Sequence, residues 1–390
     1  MYLNGKNIRL DNIVNVFFIM LSHHSASTSS CRGKRVYLGL SGGVDSAVSA
    51  YLLKEQGYDV HCVFMRNWHG DDGLDHCPIE QDLQSARSVA QHLDLPLEVM
   101  DFSAVYWEKV FQVFLDKLAL GVTPNPDVLC NQYVKFGAFL EAACSKGAKA
   151  IATGHYASIG YDKQGCFLKR GLDKKKDQSY FLALLNPQQL EKVIFPLGMQ
   201  TKEQVRDLAR QLALPNHNRK DSMGICFIGK RCFPDFIQDF MRCKPGNMVS
   251  TSGKTLGLHK GLACYTIGQR KGLGLGGGLN EGNRPWYVVE KDVKQNILVL
   301  ASADEKERLS SKGLICQKIH WIREPKHFPC SIEVKIRHQQ QPKPALIDRA
   351  ESAYQIHFNQ PAFAVTAGQI AAVYQGDMCL GAGEIVSALI

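Results

Sequence analysis

The sequence lacks several signatures that would place it in a well-defined class of protein. Its 13 cysteines include no Cys-x-x-Cys pair, which excludes a zinc ribbon and a compact iron–sulfur motif. The cysteines are scattered and odd in number, so they give no disulfide framework and fit a reducing compartment best. Ile13–Leu21 is apolar apart from Asn15 but is too short to span a bilayer, and we therefore expect no association with a membrane.

Residues 1–34 differ in composition from the rest of the chain. Serine is frequent among them, and Asp11 is their only acidic residue. Their basic residues are Lys6, Arg9, Arg32 and Lys34. Segments that are basic, serine-rich and poor in acids are typical of organellar transit peptides, so we expect a mitochondrial protein. The alternatives are a disordered extension and a cytoplasmic location.

The chain as a whole has an ordinary globular composition and a positive net charge. Lys and Arg number 46 against 37 Asp and Glu, and the formal charge of +9 weakly favours a polyanionic partner such as nucleic acid. Changes in pattern predict three domains after the first segment. These are an α/β domain over 35–215, a small loop-rich central domain over 216–300 and an antiparallel β-barrel over 301–390.

The most informative stretch is a turn of small residues between an apolar run, Val36–Leu38, and a segment with helical periodicity, Val44–Gln56. The backbone N–H groups of such a turn and the positive end of the helix suit a phosphate. The spacing matches neither a Walker loop nor the dinucleotide fingerprint. The residues of the turn are Gly39, Leu40, Ser41, Gly42, Gly43, Val44, Asp45 and Ser46. The segment SGGVDS resembles the pyrophosphate loop of ATP pyrophosphatases, so we predict a nucleotide-binding loop of that kind, the alternative being an ordinary glycine-rich turn.

Strand and helix patterns alternate from this loop to residue 153, which predicts a doubly wound parallel sheet. Ligands of such sheets bind at the carboxyl ends of the strands. Gly39, Met65 and Gly154 all fall at such ends, so we expect them to converge on one nucleotide. Met65 would pack on the adenine face, although a plain core methionine fits the pattern equally well.

A second informative stretch, Thr123–Asn131, contains two prolines that fix an extended loop before a helix expected from about Gln132. A cysteine at a helix N-terminus has its thiolate stabilised by the helix dipole, which makes Cys130 a candidate nucleophile. Asp127, one turn away, is a candidate proton acceptor. The alternative is that Asp127 caps the helix and Cys130 is a small buried hydrophobe.

Cys226 lies between Gly224 and Gly229, which predicts a flexible loop. It is 96 residues from Cys130, so only the fold could bring the two thiols together. Several basic residues are candidate phosphate contacts, although solvated turns or a linker would explain them as well. They are Lys174, Lys175, Lys176, Lys260, Arg270 and Lys271.

Seven motifs together resemble the tRNA-specific 2-thiouridylase family, close to its mitochondrial members, over residues 35–390. They are GLSGGVDS, FMRNW, TPNPDVLCN, TGHYA, KDQSYFL, SMGICFIG and YTIGQRKGLG. Two short stretches depart from the family pattern. Thr366-Ala-Gly-Gln369 stands where the family has Thr-Pro-Gly-Gln, and Arg337-His-Gln stands where it has Arg-aromatic-basic.

The resemblance implies ATP-dependent 2-thiolation of the wobble uridine, with ATP, Mg²⁺ and persulfide sulfur from an external donor. It assigns the persulfide to Cys226, a disulfide with Cys226 to Cys130, and the general base to Asp127. The glycine loop, Met65 and Gly154 would bind ATP. Contacts to tRNA or the target base fall on Asn125, Pro126, Asp127, His155, Lys176, Asp177, Gln178, Arg337, His338 and Gln369. The implied partners of this monomer are the tRNA anticodon arm and a sulfur-relay protein, and no residues are assigned to a metal site.

Two other functions fit parts of the pattern. An adenylating ligase of the same fold, making an amide or amidine, would need a nitrogen source and would leave Cys130 and Cys226 idle. A non-catalytic RNA-binding module would have no need of an intact nucleotide loop together with both cysteines.

Overall fold

The computed structural model describes residues 32–68, 78–221, 232–275 and 285–390. Cys226, with Gly224 and Gly229, and most of the expected transit segment lie outside the described residues. None of the helices in the described ranges has both the length and the hydrophobicity that crossing a bilayer requires.

A central apolar strand organises the first domain. Val36 and Leu38 in β1 (Arg35–Gly39) are fully buried, as expected for a strand covered on both faces. All pairings in its sheet are parallel, with the strand order β3-β2-β1-β4-β7, which confirms the predicted doubly wound sheet. The other four strands are β2 (Asp59–Arg66), β3 (Leu97–Asp101), β4 (Ala150–Ala152) and β7 (Val193–Ile194).

The chain order of the strands reverses beside β1, because β2 and β3 extend the sheet to one side and β4 and β7 to the other. The crevice at such a reversal, outside the carboxyl ends of the strands, is where ligands of these sheets bind. Gly39 ends β1 and Gly154 follows β4, so both residues border that crevice.

Helices cover both faces of this sheet, and alternate residues of β1 point to opposite faces. Val36 and Leu38 share one core with α1, α2 and α9, whereas Tyr37 belongs to a second core with the helices between residues 103 and 145. Two π-helical segments, Trp107–Gln112 and Cys130–Ala138, join α3 to α4 and α5 to α6. The helices are α1 (Val44–Glu55), α2 (Pro78–His92), α3 (Ser103–Tyr106), α4 (Val113–Ala119), α5 (Pro126–Leu129), α6 (Phe139–Ser145), α7 (Ser179–Leu182), α8 (Pro187–Leu190) and α9 (Lys202–Gln211).

An antiparallel hairpin that the sequence analysis did not identify follows β4. Its strands are β5 (Ala157–Asp162) and β6 (Gly165–Arg170). β6 also pairs with the start of the last strand, β17 (Met378–Leu389), through Met378 and Cys379. The hairpin therefore extends the C-terminal sheet while belonging in sequence to the first domain.

The central region contains a four-stranded sheet in the order β10-β11-β8-β9. Within it, β10 and β11 pair antiparallel as a hairpin. The sequence analysis did not predict the strands β8 and β9, because the glycine-rich composition of this region is typical of loops. The elements are α10 (Phe233–Gln238), β8 (Gly246–Ser250), β9 (Thr255–His259), a 3₁₀ turn (Leu262–Cys264), β10 (Trp286–Asp292) and β11 (Ile297–Ser302).

The C-terminal strands close into the predicted antiparallel barrel. Their order is β12-β15-β14-β13-β16-β17, and β17 pairs back with β12 to complete the ring. After a 3₁₀ turn (Ala303–Leu309), the strands are β12 (Ser310–Trp321), β13 (Cys330–Lys335), β14 (Lys343–Arg349), β15 (Tyr354–Phe363), β16 (Ile370–Gln375) and β17.

Candidate active site

The loop after β1 turns at Gly42, whose φ of +79° suits glycine. A β-carbon at this position would lie 2.4 Å from the carbonyl oxygen of Asp82, so a larger residue does not fit. The Gly42 carbonyl accepts hydrogen bonds from three side chains of two separate segments, which fixes the path of the loop. The donors are Ser85 Oγ at 2.7 Å, Asn216 Nδ2 at 2.8 Å and an Arg219 nitrogen at 3.2 Å.

Ser46 uses its hydroxyl inside the loop. Its Oγ donates to the Gly43 carbonyl at 3.0 Å and accepts the Ser41 N–H at 3.2 Å, and the residue is only 5% exposed. Ser41 is exposed, and its Oγ lies 3.2 Å from that of Ser46. Ser46 therefore shapes the loop, while Ser41 presents a hydroxyl at its surface.

The three strand-end residues expected to converge do surround this loop. A β-carbon added at Gly39 would lie 2.9 Å from Cε of Met65. One added at Gly154 would lie 3.0 Å from the amide nitrogen of Ser46. Gly39 and Gly154 thus permit close approaches that any side chain would block, and Met65 covers the end of β1.

Asp45 is held by two residues that the sequence analysis missed. Lys202 Nζ lies 2.7 and 2.8 Å from the two carboxylate oxygens, and the Tyr156 hydroxyl donates to one of them at 2.8 Å. Burial and, after it, the Asp45 charge raise the pKa of Tyr156. The sequence does indicate that Lys202 lies at a helix start, because the Thr201–Gln204 capping box makes it the first residue of α9. It does not indicate that Asp45 is its partner.

Asp221 continues this charged network. Burial opposes its ionisation, but hydrogen bonds from neighbouring cations outweigh that effect and hold the pKa of this carboxyl well below its ordinary value. The cations with a nitrogen within 2.8 Å of its oxygens are Lys176, Lys202 and Arg206. Lys176, predicted to contact tRNA, is thereby tied to the same network as the glycine loop.

The helix carrying Cys130 begins earlier than expected. Asn125 is its N-cap, since its Oδ1 accepts a backbone N–H three residues on at 3.3 Å, and Pro126 occupies the first turn. The prediction of a start near Gln132 is wrong because Pro126 initiates the helix. Cys130 therefore lies in the second turn, where a π-helical segment starts, and Asp127 is not the cap.

Asp127 and Cys130 both occupy sheltered positions. Burial raises the pKa of the Asp127 carboxyl, and the Lys135 charge opposes part of that rise. Cys130 is 6% exposed and packs in the hydrophobic core. The prediction that Cys130 lies at the helix N-terminus is wrong, because the earlier helix start places it in the second turn, where its side chain is buried as the alternative interpretation expects.

His155 joins the glycine loop to this helix. It follows Gly154, its Nδ1 lies 2.8 Å from Thr153 Oγ1, and its ring centroid is 5.8 Å from that of Phe136. Burial and then the Lys135 charge lower the pKa of His155 well below its ordinary value. The Lys135 charge thus acts on both His155 and Asp127, so the glycine loop and the helix of Asp127 share one electrostatic environment.

The predicted tRNA-contact residues of the barrel bind the other two domains in this structure. Gln369 Nε2 donates to the Thr123 carbonyl at 2.8 Å. Arg337 donates to the Ile267 carbonyl of the central domain at 2.9 Å. His338 Nε2 lies 3.0 Å from the Asp177 carbonyl, and burial is the main cause that lowers its pKa.

Asp177 and Gln178 also use their polar side chains within the protein. Asp177 is 4% exposed and accepts the N–H groups of Gly171 and Ser179 at 3.0 and 3.1 Å. The Gln178 side chain accepts the Tyr156 N–H at 2.9 Å. In contrast, Lys260, Arg270 and Lys271 are exposed. The disulfide between Cys130 and Cys226 stays a prediction, since Cys226 lies outside the described residues.

Three protein-family models match consecutive parts of the chain. The tRNA methyl transferase HUP domain matches residues 34–230, and the tRNA methyl transferase PRC-barrel domain matches residues 234–302. The aminomethyltransferase β-barrel domain matches residues 311–385.

Curated relatives are identical to this chain at almost half of the aligned positions, and the alignments cover 90% of its length. The tRNA-specific 2-thiouridylase MnmA of Legionella pneumophila (strain Lens) is 46% identical over 353 residues, covering 90% of this chain and 98% of its own length. The protein of the same name from Yersinia enterocolitica is 48% identical over 355 residues, covering 90% and 95%. Among solved structures, the U34-tRNA thiolase NcsA of Methanococcus maripaludis is 16% identical with a TM-score of 0.34, covering 50% of this chain and 61% of its own.

Proposed function

The chain belongs to the tRNA-specific 2-thiouridylase family and is a tRNA sulfurtransferase, and we propose that it activates the wobble uridine with ATP and delivers sulfur from a cysteine persulfide. The observation that carries the proposal is the link between the glycine loop and the helix of Asp127 and Cys130. That link runs through Gly154 and His155 at the point where the strand order reverses.

Activation is needed because the C2 carbonyl of uracil is a poor electrophile with a bad leaving oxygen. Attack of O2 on the α-phosphorus of ATP releases pyrophosphate and makes that oxygen part of AMP, a good leaving group. The loop and the N-terminus of α1 would bind the pyrophosphate. Lys202, between Asp45 and Asp221, would add a cation where the phosphate charge develops.

Mg²⁺ fits this site as an ion that is coordinated mainly by the phosphates of the substrate and less by protein side chains. The Asp45 carboxylate is engaged by Lys202 and Tyr156. Over the described ranges, no group of three or more His, Cys, Asp or Glu side chains is arranged to hold a metal ion. When bound, the ion would neutralise phosphate charge, as Mg²⁺ does with one or two protein ligands elsewhere.

The sulfur step follows on the activated base. The terminal sulfur of a Cys226 persulfide attacks C2 and expels AMP, which leaves the base joined to Cys226 through a sulfur–sulfur bond. The Cys130 thiolate then attacks the Cys226 sulfur, forming the Cys130–Cys226 disulfide and releasing the thiolated base. Two electrons from an external thiol reductant restore both cysteines.

Asp127 would act as the general base that removes the N3 proton as O2 attacks. The target base lies in a single-stranded anticodon loop, so turning it out toward Asp127 costs little. A partly buried carboxylate of raised pKa is better matched to this role at neutral pH than an exposed one.

The pH profile of pyrophosphate release should report this base. Asp127 is active only when deprotonated, and burial raises its pKa, so the rate should fall on acidification at a higher pH than an exposed aspartate would give. Asp127→Asn should lose that acid limb and slow the step by about 10²–10⁴-fold. Asp116→Asn, at an exposed carboxylate of α4, should keep the native profile. An unchanged acid limb in Asp127→Asn would remove Asp127 from the role.

The direct test is mass spectrometry of tRNA nucleosides after incubation with the protein, ATP and a persulfide source. Thiolated wobble uridine, with pyrophosphate release that requires tRNA, is the expected result. A methylated or aminated nucleoside would instead support the methyl transfer named in the family models or an amide-forming ligase. If no nucleoside is modified and no pyrophosphate is released, the result would support the alternative of a non-catalytic RNA-binding module.

We further propose that the protein works in mitochondria as a monomer supplied by an external sulfur-donor protein. The mitochondrial location is proposed from the basic, acid-poor composition of residues 1–34 alone. The matched relatives are bacterial and give it no support. A reporter fused behind residues 1–34 should enter mitochondria, and the same reporter behind a variant with Arg9 and Arg32 replaced by Glu should not. A cytosolic signal from the unmodified fusion would contradict the location.

A further inference from the structure

All three domains meet at Thr123, immediately before the helix of Asn125 and Asp127. The Thr123 N–H donates to the Ala367 carbonyl of the barrel at 3.2 Å, and Gln369 Nε2 binds the Thr123 carbonyl. From the central domain, Lys291 Nζ on β10 donates to Thr123 Oγ1 at 3.4 Å. We call Thr123, Lys291 and the barrel segment 364–369 the three-domain junction.

Lys291 carries a charge that the described part of the chain does not neutralise. No carboxylate in those ranges forms an ion pair with its ammonium group, which donates a hydrogen bond to the neutral Thr123 hydroxyl. Burial lowers the pKa of Lys291 to about 8, and the charge of Cys264 opposes this shift. Burying an ammonium group without a counter-charge is costly, so such a group marks a site that receives its anion from outside.

A second partly buried cation lies at the same junction. Arg337 donates to the Ala364 carbonyl at 3.2 Å and to Thr366 Oγ1 at 2.9 Å, and burial lowers its pKa. These acceptors are neutral, and no described carboxylate forms an ion pair with Arg337. The segment 364–369 thus connects Arg337 to Thr123 and so to Lys291, which leaves two uncompensated positive charges close to the base-binding helix.

We propose that Lys291 binds a backbone phosphate of the RNA substrate next to the target uridine. This inference rests on the proposed function, which brings an RNA loop to Asp127 and hence to the junction. Two of the three ammonium donors are not used by Thr123 and are available to phosphate oxygens. The contact would align the RNA backbone with the helix of Asn125, because both are tied to the same residue, Thr123.

The test is the salt dependence of tRNA binding by the full-length protein, measured with an unmodified tRNA transcript. Loss of one phosphate contact in Lys291→Met should weaken binding by about 10-fold at low salt and flatten the slope of log K against log salt by about 0.7–0.9. Lys291→Arg, which keeps the charge, should retain the native slope. Lys294→Met, at an exposed lysine just past β10, should leave the slope and the affinity unchanged.

A measurement on the unaltered protein guards against misfolding of the variants. Acetylation of Lys291 by an amine-reactive ester, read by peptide mass spectrometry, should be slowed by saturating tRNA, while that of Lys294 should not. A native slope in Lys291→Met, or equal labelling of Lys291 with and without tRNA, would overturn the inference. If the protein binds no tRNA and makes no thiolated nucleoside, it is the proposed function that fails.

Discussion

Asparagine in place of Asp45 is expected to slow ATP-dependent pyrophosphate release by about 10²–10³-fold, the usual effect of removing one well-placed electrostatic group. Asp45 holds Lys202 with both carboxylate oxygens, so the substitution lets this cation shift toward Asp221 and away from the phosphates. The measurement is pyrophosphate release in the presence of tRNA. Ser46→Ala should also remove release, because the loop loses the bonds from Ser46 to Ser41 and Gly43.

A double-substitution experiment makes this prediction sharper. If Asp45 and Lys202 act as one unit, Asp45→Asn combined with Lys202→Met should be little slower than the worse single variant. Glu55→Gln, at the exposed far end of α1, is the matched control and should keep native release. Pyrophosphate release at the native rate in Asp45→Asn would contradict a role for Asp45. Fully additive reductions of the rate in the double variant would contradict the idea that Asp45 and Lys202 act as one unit.

Serine in place of Cys226 is expected to abolish tRNA thiolation while leaving pyrophosphate release intact. In the proposed mechanism, adenylation depends on the glycine loop and Asp127, whereas sulfur delivery requires a thiol that can carry a persulfide. Both products should be measured in the same reaction, pyrophosphate by a coupled assay and the nucleoside by mass spectrometry. Thiolated uridine from Cys226→Ser would remove Cys226 from the role of carrier.

Cys130→Ser should stop the reaction one step later. The base would stay joined to Cys226 through the sulfur–sulfur bond, so a protein–tRNA adduct should accumulate and an added thiol should release thiolated tRNA from it. Cys232→Ser, at an exposed cysteine only six residues after Cys226, is the control and should thiolate normally. Free turnover by Cys130→Ser without an adduct would contradict the order of steps.

The parts of the site that the sequence predicts are those set by local pattern. A strand, a turn of small residues and a helix identify the glycine loop, and strand ends bring Gly39, Met65 and Gly154 to one edge. The helix of Cys130 was placed too late because Pro126 was interpreted as part of an extended loop, whereas proline is also favourable in a first helical turn.

Contacts between distant residues were beyond such reasoning. Lys202 meets Asp45 across 157 positions, and no periodicity or spacing connects a lysine at one helix start to a carboxylate at another. Lys291 is similar, since its neutral environment arises only when three domains close around Thr123. Arg337 and Gln369 were predicted to contact tRNA by motif alone, and their contacts to Ile267 and Thr123 depend on how the domains pack.

The hairpin of β5 and β6 has a consequence for the order in which the chain can mature. Its strand β6 pairs with Met378 and Cys379, which leave the ribosome more than 200 residues after β6 itself. Until then, the edge of β6 that pairs with β17 has unpaired backbone N–H and C=O groups, which can form hydrogen bonds with other chains and so favour aggregation during synthesis. The first domain can therefore reach its finished form only once nearly the whole polypeptide has been translated.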